Sequence, residues 1–165
     1  MNLTANTRRF IQILDKVPMF QRLKPHQALE VLKLCRPITV MTGELICRHG
    51  TESTEMYILL SGIFQIQAYD GTLLTRLSPV NIVGEMGLIT GHPRSATVLA
   101  EQQGSILEIS KIKFDVLLKK HPEIGYLIYR NIIHILSQRL EDTNTQLAAS
   151  QRQITKLQGQ PPARV

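Results

Sequence analysis

The chain has 165 residues, 43 % of them hydrophobic and 19 % charged, which suits one globular domain with its own core and is too apolar for a disordered chain. Aromatic residues make up 5 %, with no Trp, so a stacking platform for single-stranded nucleic acid is not expected. Two cysteines, Cys35 and Cys47, exclude a disulfide framework, a four-thiolate zinc site and an iron–sulfur cluster.

Both thiols sit among apolar neighbours and read as buried. The net charge of +6 is unevenly spread: residues 1–40 carry seven Lys/Arg against Asp15 and Glu30, residues 41–110 three against seven acids, and the remainder nine against four. Positive flanks around an acidic middle read as lysine-bearing helix faces rather than a nucleic-acid surface. The longest apolar run, Met56 to Leu60, is far too short to span a bilayer, and no signal peptide opens the chain. A cytoplasmic protein with no membrane association is expected.

The first region is helical. Thr7 can cap a segment with Phe10, Ile11, Leu14 and Val17 on one face, stopped by Pro18. A second helix starts at Pro25, turns Leu29, Leu32 and Cys35 inward, and breaks at Arg36-Pro37. From Ile38 to Ser110 the pattern becomes short β-rich runs: Ile38–Met41, Leu45–Cys47, Met56–Leu60, Ile63–Tyr69, Thr72–Leu77, Ala96–Ala100 and Ile106–Ile109. Thr42-Gly43, His49-Gly50, Ser61-Gly62, Asp70-Gly71 and Gln103-Gly104 mark turns between them. Phe64, Ile66 and Ala68 alternate with Gln65 and Gln67, as on a half-buried strand. Many short strands without intervening helices make an antiparallel sandwich, barrel or jelly roll.

The third region returns to helices. Lys111–Lys120 is expected to turn Ile112, Val116 and Leu117 inward and to end at His121-Pro122. A long helix then runs from Glu123 to about Leu157 and could extend roughly 50 Å. Ile133, Leu140, Leu147 and Ile154 occupy one heptad position, and Leu136, Thr143, Ser150 and Leu157 the other. Such a seam calls for a partner helix, most simply a second copy in a parallel homodimer, the alternative being packing against the chain's own sheet. The domain is expected over 1–157, divided as 1–37, 38–110 and 111–157, with 158–165 a flexible tail.

One segment carries chemistry: Asn81-Ile82-Val83-Gly84-Glu85-Met86-Gly87-Leu88-Ile89-Thr90-Gly91-His92-Pro93-Arg94-Ser95-Ala96-Thr97-Val98. A strand delivers a glycine, which lets backbone approach a ligand closely, and then an acid opening one helical turn whose free N–H groups suit an anion. After a glycine-containing loop come a guanidinium and a hydroxyl, both donors to phosphate. A carboxylate beside a phosphate site can accept hydrogen bonds from sugar hydroxyls. The ligand read from these residue types is a small phosphate ester of a sugar; the alternative is a mutual surface ion pair of Arg94 and Glu85.

The segment resembles the phosphate-binding cassette of the cyclic nucleotide-binding domain family, which includes bacterial cAMP receptor proteins, regulatory subunits of protein kinase A and cyclic nucleotide-gated channels. Gly84-Glu85 and Arg94-Ser95-Ala96 supply the pattern. Val17-Pro18-Met19-Phe20, Gly43-Glu44-Leu45-Ile46 and Tyr57-Ile58-Leu59-Leu60-Ser61-Gly62 extend the similarity over nearly the whole chain. It implies a mainly β fold with flanking helices: an antiparallel β-roll (jelly roll) preceded by short helices and followed by a long C-terminal dimerisation helix. It also implies that Arg94 holds the cyclic phosphate, Ser95 donates to it, and Glu85 accepts from the ribose 2′-hydroxyl. Gly84, Met86 and Gly87 would add backbone contacts beside Ala96. Gly87 departs from an alanine common in the family.

Gln138-Arg139-Leu140-Glu141-Asp142-Thr143-Asn144 resembles the base-facing stretch of the bacterial receptor's long helix. Thr143 then meets the adenine amino group, Asn144 reaches the nucleotide of the partner subunit, and Arg139 is a further candidate; a polar notch setting coiled-coil register is the competing reading of Thr143. The resemblance favours cAMP, with cGMP or cyclic di-GMP as alternatives. The family's transcription factors carry a helix-turn-helix after the long helix, and the chain ends soon after its heptads, so sequence-specific DNA binding is not expected. His26, His49, His92, His121 and His134 form no His-x-His pair, so neither a metal site nor an enzyme is expected. The resulting expectation is a stand-alone receptor acting on an effector protein, the alternative being an interaction module with a degenerate pocket.

Overall fold

The computed structural model describes Ile13 and residues 15–158. Most of the helix expected before Pro18 lies outside the described residues. Val17 is fully buried and leads into a 3₁₀ turn, Pro18–Phe20, that also buries Met19 and Phe20. Helix α1 follows at Pro25–Leu32 with proline in its first turn, where the missing N–H has no intrahelical acceptor to lose. Its buried residues are Gln27, Ala28 and Val31, with Leu29 and Leu32 half-buried beside them. Cys35, expected at the end of this helix, instead opens the first strand.

Eight strands follow: β1 (Cys35–Val40), β2 (Leu45–Cys47), β3 (Glu55–Ser61), β4 (Phe64–Gln67), β5 (Leu73–Leu77), β6 (Asn81–Val83), β7 (Thr97–Ala100) and β8 (Gly104–Ser110). They form two antiparallel four-stranded sheets, in the orders β1-β8-β3-β6 and β2-β7-β4-β5. This is the antiparallel roll flanked by helices that the sequence indicates.

The apolar run in β3 has a physical cause. One face of the first sheet meets the second sheet, where Tyr57, Leu59, Phe64, Val83, Val98 and Ile106 form the roll interior. Its other face meets the helices, where Met56, Ile58, Leu107 and Ile109 join Phe20, Val31 and Phe114. A strand buried on both faces loses the alternation of a half-exposed one.

Three more helices lie among the described residues: α2 (Glu85–Thr90), α3 (Lys111–Lys120) and α4 (Pro122–Gln158). Helix α3 has the expected bounds and a different inward face. Phe114 and Leu117 are buried, while Ile112 and Val116 are 77 % and 60 % exposed. The aromatic ring two positions after Ile112 turns the helix so that its largest apolar group enters the core. Helix α4 lays Ile124, Ile128, Ile132 and Ile135 on the core. Asn131 Nδ2 on the same helix donates to the carbonyls of Met19 (3.1 Å) and Gln21 (2.8 Å), tying the 3₁₀ turn to α4. No described helix is long and apolar enough to cross a membrane.

Candidate functional site

Strand β6 ends at Val83, and Gly84 takes the left-handed conformation, φ +85°, from which α2 starts. A side chain there would be strained, and its Cβ would run into Arg94 Nη1. Glu85, Met86 and Gly87 form the first turn of α2. Gly91 ends the helix in the same left-handed region, its N–H donating to the Gly87 carbonyl at 2.9 Å. The chain then returns through His92 and Pro93 to Arg94. That residue is fixed by its backbone: its N–H donates to the Thr51 carbonyl (2.9 Å), and its carbonyl accepts from Gly50 N–H (2.8 Å).

Two charged side chains are sunk into this corner, Glu85 at 3 % exposure and Arg94 at 6 %. They do not pair with each other. Arg94 Nη2 faces Glu55 Oε2 at 3.5 Å, and its guanidinium lies 5.6 Å from the Tyr57 ring centre, a cation–π distance. Burial, aided by the Glu55 carboxylate, pushes the Tyr57 hydroxyl up to about 12, which keeps the ring neutral beneath the cation. Glu85 Oε1 accepts from Arg139 Nη1 at 2.6 Å. The other arm of Arg139, Nη2, donates to Asn81 Oδ1 and to the Ile82 carbonyl, both at 3.0 Å. Arg139 therefore fastens α4 to β6 and to the first residue of α2.

These groups surround a cavity of about 550 Å³. Among the expected site residues Gly84, Glu85, Met86, Gly87, Arg94, Ser95, Ala96, Arg139 and Thr143 all line it. Asn144 does not line it and is exposed on α4. Thr143 Oγ1 donates to the Arg139 carbonyl one turn back, at 2.7 Å, so its hydroxyl has only acceptor capacity left for a ligand. Ser95 Oγ has Met86 Sδ as its protein neighbour at 4.0 Å, a weak contact that leaves the hydroxyl available.

Other lining residues were not found by sequence reasoning. Ser53, Asp142 and Gln146 also face the cavity. Ser53 arrives on the loop before β3 and had no local signal. Asp142 sits beside Thr143, and Gln146 one turn beyond Asp142, a spacing of four that helical periodicity could have supplied. Ser53 Oγ and Arg94 Nη1 are the two buried side-chain polar atoms without a hydrogen-bond partner among the described residues, and both belong to this cavity. Cys47 lies in the wall too, its thiol pushed up by burial and partly drawn back by the Arg94 charge. No group of three or more metal-ligating side chains gathers among the described residues.

A family model for the cyclic nucleotide-binding domain matches residues 37–121, which contain the roll except the first two residues of β1, and the α2 corner. The chain belongs to the cyclic nucleotide-binding domain family. It is 34 % identical over 122 residues to a cyclic nucleotide-gated potassium channel of Rhizobium etli, covering 74 % of this chain and 34 % of the channel. It is 27 % identical over 143 residues to a CRP-like cAMP-activated global transcriptional regulator of Mycobacterium tuberculosis, covering 83 % of this chain and 61 % of the regulator. A solved cyclic nucleotide-binding domain from Methylobacillus flagellatus superposes with a TM-score of 0.78 at 17 % identity, over 88 % of this chain and 84 % of that one. The chain spans about a third of the length of the channels it matches.

Proposed function

We propose that the protein is a stand-alone cyclic nucleotide receptor, with cAMP as its ligand, that acts by repositioning α4 toward an effector protein. One observation carries the reading: the two buried side-chain polar atoms without partners, Arg94 Nη1 and Ser53 Oγ, border one cavity. An unsatisfied buried donor is costly, and a cyclic phosphate supplies the acceptor that Arg94 lacks. In this reading Arg94 and Ser95 hold the phosphate, Glu85 accepts from the ribose 2′-hydroxyl, and the first turn of α2 adds backbone contacts. Thr143, left with acceptor capacity alone, suits an exocyclic amino group such as that of adenine and not a base carbonyl.

The output runs through Arg139. Because it ties α4 to Glu85, a sugar hydroxyl arriving at Glu85 bears on the attachment of α4. A ligand shifts that position only by as much as it binds two arrangements differently. The receptor is a homodimer through α4, whose Tyr126, Tyr129, Ile133, Leu140, Leu147, Ile154 and Leu157 are exposed along one seam. Calorimetric titration with cAMP, cGMP and cyclic di-GMP tests the ligand. Saturable binding strongest for cAMP and lost in Arg94→Ala is expected; no heat with any of the three from a folded sample would defeat the proposal.

A further inference from the structure

The turn of α3 that puts Phe114 and Leu117 inward leaves an outward face made of Ile112, Val116, Lys113, Lys119 and Lys120, all exposed. Ile112 and Val116 are one turn apart, and Lys119 and Lys120 follow on the next, so the face is two aliphatic side chains bordered by ammonium groups. None of the three lysines is in an ion pair among the described residues. The acids around the helix already have basic neighbours: Asp115 on α3 is paired with Lys111 at 3.3 Å, Glu123 just past the helix faces His121 at 3.5 Å, and Glu30 on α1 is paired with Lys33 at 2.6 Å, its carboxyl held low by that lysine and by His121 and Lys120. None of the five side chains lines the nucleotide cavity.

We infer that this face docks on an anionic lipid surface. Three features favour a bilayer over an acidic protein. Ile112 and Val116 are exposed one turn apart on the helix, an aliphatic pair that suits shallow insertion into a soft interface. The cations are lysines without an arginine. They act as mobile point charges for a diffuse negative surface and lack the planar fork that pairs with a carboxylate. The fold also gathers the basic flanks on one side of an acidic roll: described residues 15–40 and 111–158 carry 13 Lys/Arg against six acids, and residues 41–110 carry three against seven. That partition turns the helical side toward a negative plane. No described helix is long and apolar enough to cross a bilayer, so the contact is one of lying on the surface.

Sedimentation with large vesicles tests this, using phosphatidylcholine alone and phosphatidylcholine containing about a third phosphatidylserine. Pelleting with the anionic vesicles only, weakening as salt rises, is expected. Each lysine contributes about five-fold in affinity near such a surface, so Lys119→Glu with Lys120→Glu should weaken pelleting at least 25-fold. The chain has no Trp, so Val116→Trp gives a single reporter whose emission should shift to the blue on anionic vesicles alone. No pelleting at low salt, or pelleting unchanged by the lysine reversals, overturns the inference. Binding of poly-glutamate through the same lysines, with Trp emission at position 116 unmoved by vesicles, also overturns it and points to an acidic protein. The unfolding midpoints of the variants confirm their fold, and their nucleotide titrations keep this result separate from the receptor reading.

Discussion

Arg94 is built into its place by backbone bonds on both sides and by Tyr57 and Glu55 around its guanidinium, so its removal should act on binding more than on folding. Arg94→Ala should weaken cAMP binding by about 2–5 kcal/mol, the range for losing one partner of a buried, hydrogen-bonded charge pair. Arg94→Lys should recover only part, because an ammonium lacks the fork. Gly84→Ala should cost about 1–2 kcal/mol of stability through its left-handed backbone, and should weaken binding as well by displacing Arg94. Denaturant melts beside calorimetric titrations separate the two effects. At high pH a different pair of residues governs stability. Burial pushes Cys35 from 9.0 up to about 12, and Tyr57 rises from 10.0 to about 12. Both groups stay protonated in the folded chain after the unfolded chain has begun to ionise. Their contribution is complete below pH 9 and is lost as pH rises toward 12. Urea melts under reducing conditions should show stability falling over that window, with a shallower fall for Cys35→Ala; a flat profile would contradict the burial of these groups.

Helix α4 serves two surfaces along its length. Its first half faces the core through Ile124, Ile128, Ile132 and Ile135, while a second stripe at heptad spacing stays outside. The structure extends that stripe back to Tyr126 and Tyr129, two residues before and beyond which sequence periodicity mixes the two faces. Leu140→Glu with Leu147→Glu should give monomers, since an unpaired charge in an apolar seam is costly; sedimentation of the unmodified chain as a monomer at tens of micromolar would sink the homodimer. Saturating cAMP should slow amide exchange in residues 84–96 and 134–146 together, and Thr143→Ala should keep the first response and lose much of the second. The same overlap of faces explains what was legible in the sequence. Strand positions and the turn from β6 into α2 could be read because glycines, prolines and alternation are local signals. The inward face of α3 could not, because Phe114 competes with Ile112 and Val116 for one core. The ion partners of Glu85 and Arg94 lie 54 and 39 residues away and depend on how the sheets close. Ser53 joins the cavity through the same closure.

At the scale of the whole molecule, the core is a stack of three layers, with the helices on one sheet and that sheet on the other. Phe114 is fully buried where α3, α4 and the first sheet meet. Phe114→Ala should therefore cost about 3–5 kcal/mol and lower the thermal midpoint of the whole domain in a single transition. Separate melting of helices and roll would show that the layers are not one cooperative unit.

The overhang of α4 has a consequence of another kind. From Leu140 to Leu157 every residue is exposed, and beyond Gln146, the last residue that borders the cavity, about 17 Å of helix rests on nothing of its own chain. An isolated helix of this length is marginal in water. In the homodimer proposed above its persistence should follow mass action, with a second copy supplying the missing contacts and dilution withdrawing them. Ellipticity at 222 nm should decline on dilution in step with dissociation. Because Thr143 sits on the turn just before this overhang, apparent nucleotide affinity should also rise with protein concentration, which would make such a receptor a meter of its own abundance as well as of its ligand.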